Sequence, residues 1–211
     1  MKATDFLKKQ HTLVKELFEQ IEKASSREEK KQLFQSLATN LVGHDAIERQ
    51  LFYPACEKAM GMTPELGEAL VEHGVVEFSV YQADEALRGK NAEADEFDYK
   101  CKVLQEIVEH HVKEEEDEFF PKVEKALSSE ELEDLTDELE DLFADQLQKD
   151  FHVGLYANLQ QVFAGVIKTS APEEESEEDL DASAEMKAQT AARKGPLASE
   201  RAPKKGTRRS A

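Results

Sequence analysis

An all-α fold is predicted for this chain: an antiparallel four-helix bundle with an additional C-terminal helical segment and a disordered tail. Three observations predict it. Apolar residues return every three or four positions almost everywhere before Lys168, which is the helical period. Gly and Pro number only 9 and 6 in 211 residues. Four long periodic segments follow one another through short connections, which favours antiparallel neighbours. With 39% hydrophobic residues, the chain has enough apolar surface for one ordinary core.

The first helix starts after Thr4 and carries Phe6, Leu7, Val14, Leu17, Phe18 and Ile21 before Ser25 and Ser26 interrupt it. The second opens on a capping box, with Ser26 as N-cap and Glu29 three residues later, and runs by Leu33, Phe34, Leu37 and Leu41 to Gly61. Pro54 near its end predicts a kink there. Thr63 caps the third helix, Pro64 takes its first position, and Gly89 follows its last residue, Arg88. The fourth covers about Asp95 to Leu127, with Pro121 again in the last turns. Ser128 and Glu131 form another capping box. It launches helix in two pieces through Leu132, Leu135, Leu139, Leu142, Phe143 and Leu147 to about Ile167. Three regions result: a bundle at 1–127, an additional helical segment at 128–168, and a tail at 169–211. The additional segment must pack across the bundle or against another copy, as the seam of a homodimer.

Acidic residues outnumber basic ones by 46 to 27, a formal charge of -19, so the folded part is not expected to attract nucleic acid. The tail has no aromatic residue and reads as disordered. It splits by sign, with eight acidic residues in Glu173 to Glu185 and eight basic ones in Lys187 to Arg209. The basic end offers a weak contact for nucleic acid or anionic lipid, although a solvated polyampholyte is the plainer expectation. The longest run free of Asp, Glu, Lys and Arg, Phe151 to Ile167, holds His152, Asn158, Gln160 and Gln161. It falls short of the roughly 20 apolar residues that span a membrane. Two cysteines, Cys56 and Cys101, make no disulfide framework and read as buried thiols. Met1 to Asp5 lack the apolar stretch of a signal peptide. A cytoplasmic location is therefore expected.

Most of the six histidines fall in a repeated setting. His44 is followed by Glu48 and Pro54, and His111 by Glu115 and Pro121, so the same steps of four and ten residues occur in corresponding helices. His73 and Glu77 repeat the step of four in the third helix, and His11 stands at the corresponding point of the first. Four residues is about one helical turn, so each pair presents an imidazole and a carboxylate on one face. His44 continues the apolar line of Phe34, Leu37 and Leu41, and His111 that of Leu104 and Val108. These faces point inward, where unpaired polar groups are costly and metal coordination removes the cost. Four imidazoles and three carboxylates exceed one tetrahedral ion but suit two octahedral ions with Glu48 and Glu115 bridging. A nitrogen and oxygen set without thiolate points to iron or manganese before zinc, iron first.

This pattern, with the Phe119-Phe120-Pro121 that trails the second pair, resembles the hemerythrin-like, or HHE, cation-binding domain, over about residues 4 to 127. The resemblance implies two irons, oxo- or hydroxo-bridged when ferric. It assigns His11 and His44 to one iron, His73, Glu77 and His111 to the other, and Glu48 and Glu115 to the bridge. Oxygen-carrying animal hemerythrins place a second His where this chain has Glu77. An anion in that place stabilises ferric iron and favours oxidation or peroxide chemistry over reversible oxygen carriage. The implied function is binding or reacting with a small ligand (O2, NO or H2O2) for sensing, scavenging or detoxification, with peroxidase- or catalase-like turnover as one form. Iron storage, buffering or donation for iron-sulfur cluster repair is the alternative.

The remaining polar residues have plainer expectations. His110 also stands four residues from a glutamate, Glu114, but off the apolar line, and is expected outside the ligand set or in solvent. His152 is expected to be structural or at the surface. Glu116 and Glu118 read as solvated faces, and Lys15 and Arg49 as ordinary helix-surface cations.

Overall fold

The structure, a computed structural model, describes residues 1–89 and 95–165, and the tail expected at 169–211 lies outside them. Eight α-helices make up the described part: α1 (Ala3–Lys23), α2 (Arg27–Ile47), α3 (Tyr53–Met60), α4 (Pro64–Arg88), α5 (Glu96–Glu114), α6 (Phe120–Ala126), α7 (Ser129–Gln146) and α8 (Phe151–Phe163). No strand occurs among the described residues. No helix among them is long and apolar enough to cross a membrane.

Local chemistry sets most boundaries. The Ser26 hydroxyl accepts from the Glu29 N–H at 3.2 Å, while the Glu29 carboxylate reaches back to the Ser25 N–H rather than to Ser26. The Ser128 box closes fully, with Glu131 N–H donating to the Ser128 hydroxyl and the Ser128 N–H donating to Glu131 at 2.8 Å. Thr63 caps α4 ahead of Pro64.

Each proline follows a widened turn. Between α2 and α3 the chain forms a π turn, Glu48–Phe52, and between α5 and α6 a second one, Glu115–Phe119. A proline ring crowds the carbonyl four residues back and donates no hydrogen bond. Widening the preceding turn relieves both demands. Tyr53 N–H then bonds to the Glu48 carbonyl and Phe120 N–H to the Glu115 carbonyl, each five residues back. Such turns often mark functional sites, and here each begins on one of the repeated glutamates.

Helices α1, α2, α4 and α5 form the bundle. Its interior consists of two apolar clusters, and all four helices pass from one cluster to the other at the same level. Leu7, Ile47, Leu70 and Phe119 belong to one cluster; Val14, Leu41, Val80 and Val108 belong to the other. The changeover residues are His11, His44, His73 and His111, all buried. The additional segment packs on the bundle, α7 against α1 and α2, and α8 against α2 and α4. Two glycines permit α8 to approach: a Cβ at Gly74 would lie 3.0 Å from Val162, and one at Gly154 2.8 Å from Val42.

Candidate metal centre

The four histidines meet as two pairs. His11 Nε2 lies 3.3 Å from His44 Nε2, and His73 Nε2 lies 3.1 Å from His111 Nε2. Glu48, which begins the first π turn, sets Oε2 at 3.1 Å from His44 and 3.2 Å from His73. Glu115, which begins the second, sets Oε2 at 3.4 Å from His11 and 3.5 Å from His111. Each carboxylate therefore touches both pairs. Six of the seven expected residues converge in this way, as two groups that could hold a metal, with Glu48 common to both.

The other ring nitrogen of each histidine is engaged from outside. His11 Nδ1 meets Glu116 at 2.8 Å, His44 Nδ1 meets the Gln10 amide oxygen at 2.7 Å, His73 Nδ1 meets Asp45 at 2.5 Å, and His111 Nδ1 meets Glu72 at 2.8 Å. An oxygen acceptor at Nδ1 places the proton there and leaves Nε2 as a lone pair. The four lone pairs all face the same interior space. Glu48 Oε1 and Glu115 Oε2 are buried without a hydrogen-bond partner. Buried anionic oxygens without donors are costly unless a cation satisfies them, so the donor set fits a metal.

Metal-free, the same atoms attract protons instead. Burial opposes the charge on His11, but Glu115 and Glu116 outweigh it and raise its pKa to about 9. Burial likewise opposes the charge on His73, and Asp45 and Glu48 outweigh it, to about 10. Burial works against Glu48, yet His44 and His73 hold its carboxyl well below the ordinary range.

Glu77 stands apart from both groups. Its Oε1 accepts from the Asn158 amide of α8, and its Oε2 lies 3.8 Å from Arg49. Burial, then the charge of Asp45, push its pKa to about 9. A proton therefore competes with any cation for this carboxylate in the metal-free protein.

Sequence reasoning missed Tyr53. Its fully buried hydroxyl lies 2.9 Å from Glu115 Oε1, 2.9 Å from His73 Nε2 and 3.3 Å from Glu48 Oε2. Burial, then Glu115 and Glu48, hold its pKa well above the ordinary value, so it keeps its proton. The signal available was its place beside Pro54, at the end of a turn begun by Glu48. Glu116 and Arg49 also depart from expectation: Glu116 holds His11, and Arg49 is buried with its Nε 2.7 Å from Asp45. Both stand one residue off the ligand line, where solvent and a neighbouring helix are equally plausible from sequence.

Other expectations agree with the structure. His110 is exposed near Glu114, at 3.2 Å. His152 bonds Asp84 and Asp150. Both cysteines are buried, and burial pushes the Cys101 thiol up to about 12.

Buried imidazoles and carboxylates converging from the helices of a bundle define a metal-binding helical protein. The model of the hemerythrin HHE cation-binding domain matches residues 2–123, more than half of the chain. The protein belongs to that family, whose domain binds metal, usually iron. It is similar to the crystal structure of a hemerythrin HHE cation-binding domain-containing protein from Mycobacterium kansasii, with a TM-score of 0.63 and 25% identity over 75% of this chain and 99% of that one. No curated protein matches the chain.

Proposed function

We propose that this is a non-haem diiron protein that binds or reacts with a small ligand (O2, NO or H2O2), for sensing, scavenging or detoxification. The observation that carries this reading is the orientation of the imidazoles, each held at Nδ1 from outside with Nε2 turned to Glu48 or Glu115, carboxylates that each keep one buried oxygen without a hydrogen-bond partner. His11 and His44 would hold one iron and His73 and His111 the other, with Glu48 and Glu115 shared. Glu77 lines the same cavity, and a cation there competes for it with Asn158 and a proton. The absence of thiolate favours iron over zinc. Iron supplies an exchangeable coordination position and two accessible oxidation states.

The rest falls to the chain. Val14, Leu41, Val42, Val76, Val80 and Val108 wall a cavity of about 30 Å³ beside the histidines, which suits one small molecule and excludes bulk water. Tyr53 keeps an O–H against Glu115 and orients that carboxylate. The test is anaerobic ferrous reconstitution, then air, then degassing, with absorption recorded throughout. Two irons per chain and a charge-transfer band that appears in air are expected. Loss of the band on degassing marks reversible binding, persistence marks oxidation and directs attention to peroxide turnover, and no bound iron overturns the proposal.

One observation favours a second reading, iron storage, buffering or donation: the excess of acidic over basic residues, 46 to 27, draws cations. Rapid release of loaded iron to a chelator, without peroxide turnover, would select it.

A further inference from the structure

A second group of ligand-type side chains lies outside the histidine pairs. Glu72, His110 and Glu114 bring a ring nitrogen and two carboxylate oxygens within 4.8 Å of one another. His110 Nε2 is 3.2 Å from Glu114 Oε1 and 3.7 Å from Glu72 Oε1. The other oxygen of Glu72 holds His111 Nδ1 at 2.8 Å. One carboxylate thus joins an accessible His–Glu–Glu group to a histidine of the buried centre.

The space beside this group leads inward. A cavity of about 190 Å³ between the first turns of α4 and the second π turn is rimmed by Glu65, Glu68, Glu72, Glu114 and Glu118. Lys122 neutralises Glu65 at 2.6 Å; the other four glutamates remain. The same cavity is lined by His111 and Glu115, and Glu115 Oε2 is buried, 2% exposed and without a hydrogen-bond partner. An unpartnered anionic oxygen at the end of an acidic passage attracts a cation, and carboxylate-lined clefts concentrate cations locally. The groove between α1 and α5 also reaches a centre histidine, His11, but Lys15 and Lys113 line it among its acids, so it repels a cation at those points.

We propose that the α4 cavity is the inlet through which divalent metal reaches the buried centre, with Glu72, His110 and Glu114 as an outer transit site. One imidazole and two carboxylates suit a borderline divalent ion such as ferrous iron or cobalt. Their partial exposure makes the site weak and exchangeable. The ion moves from the outer oxygen of Glu72 to Glu115 and His111 with no change of oxidation state. This inference rests on the buried centre taking metal.

The test uses Co2+ alone with the metal-free full chain, followed by its d–d absorption in equilibrium titration and stopped-flow mixing. The variant H110A/E114Q removes two outer ligands, one exposed and one half-buried, and leaves every residue of the buried centre in place. E138Q, on the exposed face of α7, carries the same change in net charge and serves as control. The wild type should take up two tight ions and one weak ion. H110A/E114Q should lose the weak ion, keep the two tight ones and load them about 10-fold more slowly, while E138Q behaves as wild type. Loading at the wild-type rate in H110A/E114Q overturns the inlet, whether or not the weak ion is lost. Equal slowing in E138Q also overturns it, since bulk charge then explains the rate. Two tight ions together with either result leave the function reading standing; a wild type with no tight ions fails that reading itself.

Discussion

The stretch from α2 to α3 and the stretch from α5 to α6 repeat one spacing, yet equivalent positions differ in chemistry. Nine residues beyond the histidine, the first repeat has Tyr53 and the second Phe120. Tyr53 sets a hydroxyl against His73 and Glu115; Phe120 stacks on His11 with ring centroids 5.9 Å apart. One residue beyond, Asp45 holds His73 while Val112 lines the cavity. Five beyond, Arg49 pairs with Asp45 while Glu116 holds His11. The repeat positions the donor atoms alike, and the residues between them give each half of the centre a different set of supporting contacts.

The two carboxylates that touch both pairs are the elements the repeats share, so the largest effect is expected there. Glu48→Gln and Glu115→Gln should each reduce bound iron from two per chain to one or none, measured by metal analysis after reconstitution. The stabilisation conferred by metal should shrink by about 3 kcal/mol or more, as expected when a ligand present at about 100 times its Kd no longer binds. Full retention of two irons in either variant would remove that carboxylate from the shared position.

Proton competition sharpens the comparison next. His11 and His73 are raised to about 9 and about 10 in the metal-free protein, above the unfolded value of about 6.5. Their protonation stabilises the fold fully below about pH 6.5, and this contribution is lost as pH rises through 9 for His11 and through 10 for His73. The melting temperature of the metal-free chain should therefore fall between pH 6.5 and 10. The iron-loaded chain, whose imidazoles give their lone pairs to metal, should lack this fall. Parallel pH profiles for both forms would contradict the assignment.

Exchanging the unlike residues breaks the asymmetry directly. Tyr53→Phe makes the first repeat resemble the second and removes a donor from Glu115, at a cost of about 1–3 kcal/mol in the metal-free chain. The absorption of the reconstituted centre should shift. Phe120→Tyr adds a hydroxyl to the ring stacked on His11, in a fully buried position, and should destabilise by overpacking, by about 1–3 kcal/mol, without reproducing the Tyr53 spectrum. An unchanged spectrum in Tyr53→Phe would sever the phenol from the centre.

Much of this was legible in the chain because it is periodic. The step of four residues, repeated at His44, His73 and His111, marked a common inward face, and apolar neighbours such as Leu41 and Val108 located it. What escaped is decided by partners on other helices. Gln10, Asp45, Glu72 and Glu116 each stand beside the ligand line, and only the packing of α1 against α2 and α4 against α5 tells them from solvated residues. Glu77 has the same spacing as Glu48, yet Asn158 from α8 and Arg49 from the first π turn engage it instead. Pro54 and Pro121 announced a disturbance, but whether a helix bends or widens depends on the backbone around it. Nothing in residues 4 to 127 signals α8, whose Asn158 joins Asp45 to Glu77.

That helix also distinguishes the two sides of the bundle, since α8 covers the groove between α2 and α4 while, among the described residues, no helix covers the groove between α1 and α5. Gly154→Ala tests the cover with the smallest expected effect. Alanine favours a helix by up to about 1 kcal/mol over glycine, so an unobstructed substitution would stabilise α8. Its Cβ, however, would lie 2.8 Å from Val42 Cγ1, and Val42 is buried on α2 with little room to turn. Overpacking of this kind costs about 1–3 kcal/mol, so the net should be a loss of about 1 kcal/mol. For a domain of this size that lowers the melting temperature by about 2–4 °C. Iron stoichiometry should stay at two, because none of the six converging residues moves with α8. A rise in melting temperature would mean that α8 lies further from Val42, and that the groove between α2 and α4 is as open as the one opposite.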